Sequence, residues 1–204
     1  MNEIGLFPLA LVLTPTERVP LHIFEPRYKE LIGERIAEGG HFGIVLEDDA
    51  GRRDIGTLAE VREVVHVFDD GRMNILVEGG ARFRIREWTQ GRSYPTARVE
   101  PHEDEDTSAP DASVAEEALA LFRQLAEVAD ADIDEPDGSS GSLAFEIAGY
   151  VDLGALPKQE LLELRSEQLR LRRLAELLER ALAAVTRERA IRERASTNGR
   201  VSLG

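Results

Sequence analysis

The chain has 204 residues, no cysteine and a net charge of −14, from 25 basic against 39 acidic side chains. A chain of this length can bury a core without disulfides or a structural metal, and the missing cysteines exclude thiolate metal sites, disulfide frameworks and cysteine nucleophiles. The acidic balance argues against nucleic acid and anionic membranes as partners.

The first apolar stretch, Ile4 to Leu13, is short, broken by Pro8 and preceded by no basic residue. It reads neither as a signal peptide nor as a transmembrane helix, so a cytoplasmic protein is expected. Pro26 suits the first position of a helix, Tyr28, Leu31, Ile32 and Ile36 form its apolar stripe, and Gly39 suits its stop. Only two lysines occur, Lys29 and Lys158, followed by Glu30 and Gln159. A phosphate-cradling loop needs Gly-Lys-Ser/Thr, so there is no P-loop. A Ser–Lys dyad would have to use one of these two lysines, and both lie in helix-like, charged surroundings.

The next stretch is mostly β. Phe42–Leu46 is a short apolar run, and Val61–Phe68 is β-branched and ends at the hairpin signal Asp69-Asp70-Gly71. Met73–Glu78 follows, with Gly79-Gly80 read as a break. Ala81–Trp88 then alternates, with Ala81, Phe83 and Ile85 on one face and Arg82, Arg84 and Arg86 on the other. Such alternation predicts a half-buried antiparallel strand whose arginines form a solvated basic face. Tyr94–Val99 supplies one more strand, and short strands closed by turns predict a barrel or folded-over sheet.

Charge marks the boundary. Residues 102–160 hold 16 acidic side chains against 2 basic ones, beginning with His102-Glu-Asp-Glu-Asp106, which reads as a solvated linker. Beyond it the pattern is helical. Ser113 and Glu116 are spaced as a capping box, and Val114, Ala118, Leu121, Phe122, Leu125 and Val128 recur at helical spacing. Asp130–Ser142 reads as a loop and Leu143–Val151 as a short helix. A long helix is expected from about Pro157 towards Ile191, with Leu164, Leu171, Leu174, Leu178, Ala181 and Val185 on one seam. The expected division is a β domain with one helix over 1–101, an acidic linker over 102–112, a helical bundle over 113–195 and a flexible tail over 196–204.

Several spaced motifs then stand in a familiar order: Leu6-Phe-Pro-Leu9, Pro20-Leu-His-Ile-Phe-Glu-Pro-Arg-Tyr28, Phe42–Leu46, Asp54-Ile-Gly-Thr57, Asp70-Gly-Arg72, Asn74–Gly79, Arg82-Phe-Arg-Ile85 and Lys158–Glu163. Together they resemble the Lon N-terminal domain family, the substrate-binding domain of Lon proteases. Pro20–Tyr28 looks like the stand-alone and cereblon-like branch. The resemblance implies an α+β fold, with a PUA-like β pseudo-barrel followed by a helical bundle, and lacks the ATPase and peptidase parts of Lon. The family-motif residues Pro8, Pro20, His22, Glu25, Pro26, Arg27, Tyr28, Gly56, Gly71, Gly79, Arg82 and Phe83 are read as structural. Glu25 and Arg27 fit a local ion pair at the helix entry better than a ligand groove.

The four histidines, His22, His41, His66 and His102, show no ligand spacing, and the acidic loop around Asp130 lacks the register of a calcium site, so no metal or cofactor is expected. Catalytic residues are not evident. The resulting expectation is a non-enzymatic module that captures exposed apolar or extended segments of unfolded clients, as an adaptor to a protease or in quality control. Phe7, Leu9, Ile23, Phe24 and Phe68 are its candidate contacts, and it is expected to be a monomer or weak dimer. The alternatives are a small ATP-independent hydrolase and a self-associating structural protein using the long helix. A small-molecule pocket would need an aromatic cage, for which Trp88 is the single tryptophan.

Overall fold

A computed structural model describes residues 2–198, with side chains placed through residue 192. The strands are β1 (Asn2–Leu9), β2 (Arg18–Ile23), β3 (Phe42–Asp48), β4 (Gly51–Val67), β5 (Met73–Thr89) and β6 (Thr96–Pro101). The helices are α1 (Pro26–Glu38), α2 (Ala112–Ala129), α3 (Leu143–Tyr150), α4 (Ala155–Glu163) and α5 (Glu167–Asn198).

One six-stranded sheet runs β2-β5-β4-β3-β1-β6, and a further β5–β6 pairing closes it on itself. Only β1 and β3 run parallel; the other pairs are antiparallel. The closure uses the second half of β5, where Phe83 to Thr89 pair with β6. The first half, Met73 to Glu78, instead lies between β2 and the outer part of β4. The barrel thus extends into a three-stranded ribbon, which packs against α1 through Tyr28, Leu31, Ile23, Ile75 and Val77.

Gly79 is where the ribbon leaves the barrel. The expected break at Gly79-Gly80 does not occur: β5 continues through both, and a register shift opposite Leu58 absorbs the bend. A Cβ on Gly79 would lie 2.1 Å from the Thr14 carbonyl oxygen, because the β1–β2 connection crosses directly over it. The Gly79 N–H donates to the Glu17 carbonyl at 2.9 Å, and its own carbonyl accepts from Thr16 N–H at 2.8 Å. Only a residue without a side chain permits this approach.

Helix α1 begins and ends as its residues dictate, with Pro26 at the first turn and Gly39 at the C-cap, although Ile36 is left 44% exposed. Helix α2 starts without the expected capping box. No side chain caps its N-terminus, and Glu116 pairs with Arg123 instead.

The expected single long helix is two helices. Leu164 is extended (φ −66°, ψ 138°), and α5 starts anew at Glu167 and runs through Ser196–Asn198; the rest of the expected tail lies outside the described residues. The seam residues Leu171, Leu174 and Leu178 are fully buried in a core shared with α2, α3 and α4, so they pack within the chain. Val12, Leu46 and Ile55 of the barrel half join the same core.

Candidate functional site

Two polar features of the barrel are consumed by structure. Arg82, expected on a solvated face with Arg84 and Arg86, is only 9% exposed. The helices cover that side of β5 there. Its Nη1 donates to the carbonyls of Leu162 (2.8 Å) and Leu164 (2.6 Å), satisfying the end of α4, and its Nη2 reaches Asp104 at 2.5 Å. Arg170 donates to the Leu164 carbonyl at 2.8 Å and also binds Asp104 and Glu167. Both guanidinium groups lie over the Phe145 ring, at 5.3 and 4.7 Å.

This clasp draws in part of the stretch read as solvated: His102 is buried and Asp104 half-buried, while Glu103, Glu105 and Asp106 stay exposed. His102 Nε2 lies 3.1 Å from the Glu163 carbonyl oxygen; the Glu103 carbonyl accepts from Arg165, and Glu105 pairs with the same arginine. Burial, and then the charge of Arg170, holds Arg82 below the usual guanidinium range. Burial works to raise the Asp104 carboxyl, but the bonds and charges of Arg170 and Arg82 outweigh it and hold it below the carboxylate range. Burial likewise pushes the His102 imidazole below its ordinary range, against the bond to the Glu163 carbonyl.

A cleft of about 620 Å³ opens between the β1–β2 connection and the loop before α3. Its acidic lining is already engaged. Glu17 binds Lys158 at 2.5 Å and Thr14 at 2.9 Å, Glu78 binds Arg18 and Arg62 at 2.7 Å, and Glu146 accepts the backbone N–H groups of Gly138 and Ser140. The two arginines hold Glu78 below its ordinary range. The cleft is a cross-linked seam between the two halves.

The far end of the β4–β5 hairpin differs. Its turn is fixed: Phe68 N–H donates to the Arg72 carbonyl at 2.9 Å, Gly71 takes φ 77°, and the Asp70 carboxylate accepts from Arg72 N–H and Nε. Lys29 of α1 holds the turn through the Asp70 carbonyl at 2.9 Å. On this rigid support sits apolar surface. Phe24 is 59% exposed, Val65 58% and Val67 57%. His22 stacks on Phe24 at 6.0 Å and meets the edge of Phe68 at 5.9 Å, while His66 abuts Phe68 at 4.4 Å. Arg72 lies 5.0 Å over Phe68, and His22 Nδ1 is 2.6 Å from Asn74 Oδ1.

The structure therefore divides the apolar candidates. Phe7 and Ile23 are buried in the ribbon core, Leu9 is half-buried against it, and none of the three offers a docking surface. Phe24 and Phe68 come together at the hairpin end, joined by His22, a motif residue expected to be structural. Other motif residues sit in strands, at the entry of α1 and at close contacts. Pro8 stands opposite Val45 in the β1–β3 ladder, and Pro20 lies in β2. Glu25 pairs with Arg27 at 2.8 Å beside Pro26, and Arg27 lies 4.6 Å over the buried Tyr28 ring. A Cβ on Gly56 would collide with the Ile44 carbonyl and with the buried Phe83 ring.

Sequence reasoning missed Val64, Val65 and Val67. The signal was present, since Val64-Val65-His66-Val67 departs from the alternation of a half-buried strand. Trp88, at the other end of β5, is covered by Arg52 at 4.9 Å, and no second ring faces it among the described residues. Among those residues, too, no group of three histidine or carboxylate side chains is arranged to hold a metal ion, and no helix is long and apolar enough to cross a membrane.

Residues 3–180 match the ATP-dependent protease La (LON) substrate-binding domain. The chain is 30% identical over 187 residues to Lon protease 2 of Myxococcus xanthus and 31% identical over 187 residues to the Lon protease of Anaeromyxobacter dehalogenans. Each alignment takes in 83% of this chain but 22% of the relative, so the chain spans about a fifth of the length of these relatives. In fold it is similar to a Lon N-terminal domain protein from Xanthomonas campestris (TM-score 0.67, 23% identity, 85% of this chain and 97% of that one). It is similar also to the N-terminal domain of a Mycobacterium avium complex Lon protease (TM-score 0.66, 18% identity, 87% and 98%).

Proposed function

The chain belongs to the Lon substrate-binding domain family, and on that premise we propose that it captures exposed apolar or extended segments of client proteins at the end of the β4–β5 hairpin, without catalysing a reaction itself. The observation that carries this reading is the exposure of Phe24, just after β2, and of Val65 and Val67, at the end of β4, beside a turn tied down by Asp70 and Lys29. Apolar surface presented on a fixed support binds without a large ordering cost, and its burial is favourable at about 25 cal/mol per Å². Imidazole rings and Arg72 at its border give polar contacts that tolerate varied side chains. Each contact is weak, so clients bind at modest affinity unless several modules act together. The matched region is the part of a Lon protease named for substrate binding, which suits a cytoplasmic adaptor that hands clients to a protease or holds them in quality control.

Hydrogen–deuterium exchange with reduced, carboxymethylated casein tests this. Protection is expected in peptides that span Phe24 and Val64–Phe68, and none around Phe7, which is already buried. Unchanged exchange throughout, at saturating casein, overturns client capture.

A further inference from the structure

The helical half carries an apolar groove that shares no element with the hairpin end. Phe122 and Leu125 of α2 form its floor, and Ile133, Tyr150 and Val185 its walls, around a space of about 260 Å³. Tyr150 is 52% exposed and tilts against the buried Phe122 ring at 6.0 Å. The space is below the roughly 300–1,000 Å³ of a small-molecule site, but it takes a large apolar side chain. Every lining residue belongs to α2, α3, α5 or the loops that follow α2 and α3, so no strand edge is at hand and recognition rests on side chains.

The loop after α2 alternates. Ala131 and Ile133 line the space, while Asp130, Asp132 and Asp134 are exposed beside them. Among the described residues, the carboxylates of these three and of Glu127 have no hydrogen-bond or ion-pair partner. Asp152, on the opposite wall, accepts the Gly154 N–H at 3.2 Å. These acids gather at the negative pole of α2, and no basic residue stands in its last turn. Arg189 of α5 donates to the Val128 carbonyl at 3.3 Å and offsets part of this charge. Arg123 is taken by Glu116 and Glu135, and Arg192 by Glu188. Acid is therefore left in excess around an apolar space, and among the described residues it is not arranged to hold a metal ion.

We infer that this groove docks an amphipathic helix of a partner protein, with a large apolar side chain in the space and lysine or arginine residues facing Asp130, Asp132, Asp134 and Asp152. The apolar floor supplies affinity, whereas the acidic rim steers the approach and selects against acidic helices. Such a surface lets the chain hold a second protein while the hairpin end stays free, and the assignment does not depend on client capture there.

The test uses the full chain and a labelled peptide with leucine and lysine at helical period, read by fluorescence anisotropy, with a leucine–glutamate peptide as its counterpart. Asp130→Asn with Asp132→Asn and Asp134→Asn should weaken binding of the lysine peptide about tenfold, because three modest exposed attractions are lost together. Ala131→Trp, which fills the groove from an exposed position, should weaken it by at least about tenfold. Glu3→Gln with Asp49→Asn and Asp54→Asn removes the same charge from exposed positions in the β half and should change binding by less than about twofold. Casein binding should be unmoved by either groove variant, and its parallel loss overturns the separation of the two surfaces. Equal losses from the two triple variants reduce the binding to bulk charge and overturn the site. Undiminished binding by Ala131→Trp overturns the groove, equal binding of the glutamate peptide overturns the charge selection, and binding of neither peptide overturns the whole inference. A concentration-dependent doubling of mass, with hydrogen–deuterium protection of Leu125–Asp134 in the absence of peptide, gives the groove to a second copy and overturns a separate partner.

Discussion

The junction of barrel and helices buries charge, whereas the end of the β4–β5 hairpin exposes apolar surface, and both depart from the ordinary distribution of residues. At the junction Asp104 lies between two guanidinium groups, and their remaining donors satisfy the carbonyls where α4 stops. At the hairpin end no covering element serves Phe24, Val65 or Val67. Burying charge costs solvation, and it is tolerated here because nearly every donor has a partner. Exposed apolar surface has no such local compensation and is relieved only by a partner. The contrast separates a region that holds the molecule together from one whose apolar side chains stay exposed, the region proposed above to take clients.

The sharpest way to break this comparison is at Asp104. Asp104→Ala leaves Arg82 and Arg170 facing each other at close quarters, and a loss of about 3–5 kcal/mol is expected from urea unfolding. Casein binding by the fraction that stays folded should persist, and its selective loss would join the two regions functionally. Next comes the ribbon. Gly79→Val drives a side chain into the Thr14 backbone and should cost about 1–3 kcal/mol. Gly80→Ala, with its nearest neighbour at 3.4 Å, should cost less, and differential scanning calorimetry distinguishes them.

At the hairpin end the expectation reverses. Phe24→Ser with Val65→Thr should change stability by no more than about 0.5 kcal/mol, because neither side chain is buried. Casein affinity should nevertheless fall about tenfold by anisotropy.

The smallest effect is with pH. Burial lowers the folded-state pKa of His102, so the unfolded chain binds the proton more readily, and stability is lost as pH falls below about 6.5 towards the folded value. Asp104, also depressed, adds to the loss only at more acid pH, as its folded pKa is approached from above. The urea midpoint should drop between pH 7.5 and 5.5, and His102→Asn should flatten that slope.

Much of the architecture was legible along the chain. Pro26 and Gly39 bound α1 because each acts on backbone conformation locally, and Asp69-Asp70-Gly71 marks the hairpin turn for the same reason. Most of the spaced motifs that resemble the Lon N-terminal domain stand in one closed sheet, with Pro26–Tyr28 in α1 and Lys158–Glu163 in α4, and the pattern of Leu143–Val151 forms α3 nearly as expected. The exposed face at the hairpin end was only half legible. Phe24 and Phe68 were among the candidates, but so were Phe7 and Ile23, and all four are apolar residues in or beside strands.

Sequence by itself thus determined α1, the hairpin turn, α3 and the family, because turns, caps and periodicity depend on near neighbours along the chain; it marked neither β1 nor β2 as a strand. Tertiary structure alone decided the rest. Alternation puts Arg82 and Phe83 on opposite faces of β5, but only the docking of α4 and α5 makes the arginine's face an interior. Helical periodicity runs straight through Leu164, and the helix stops there because distant Arg82 and nearby Arg170 bind its last carbonyls. Whether β4 is covered beyond Ala59 depends on where β3 begins, and that is a matter of pairing between strands, which no stretch of sequence records by itself.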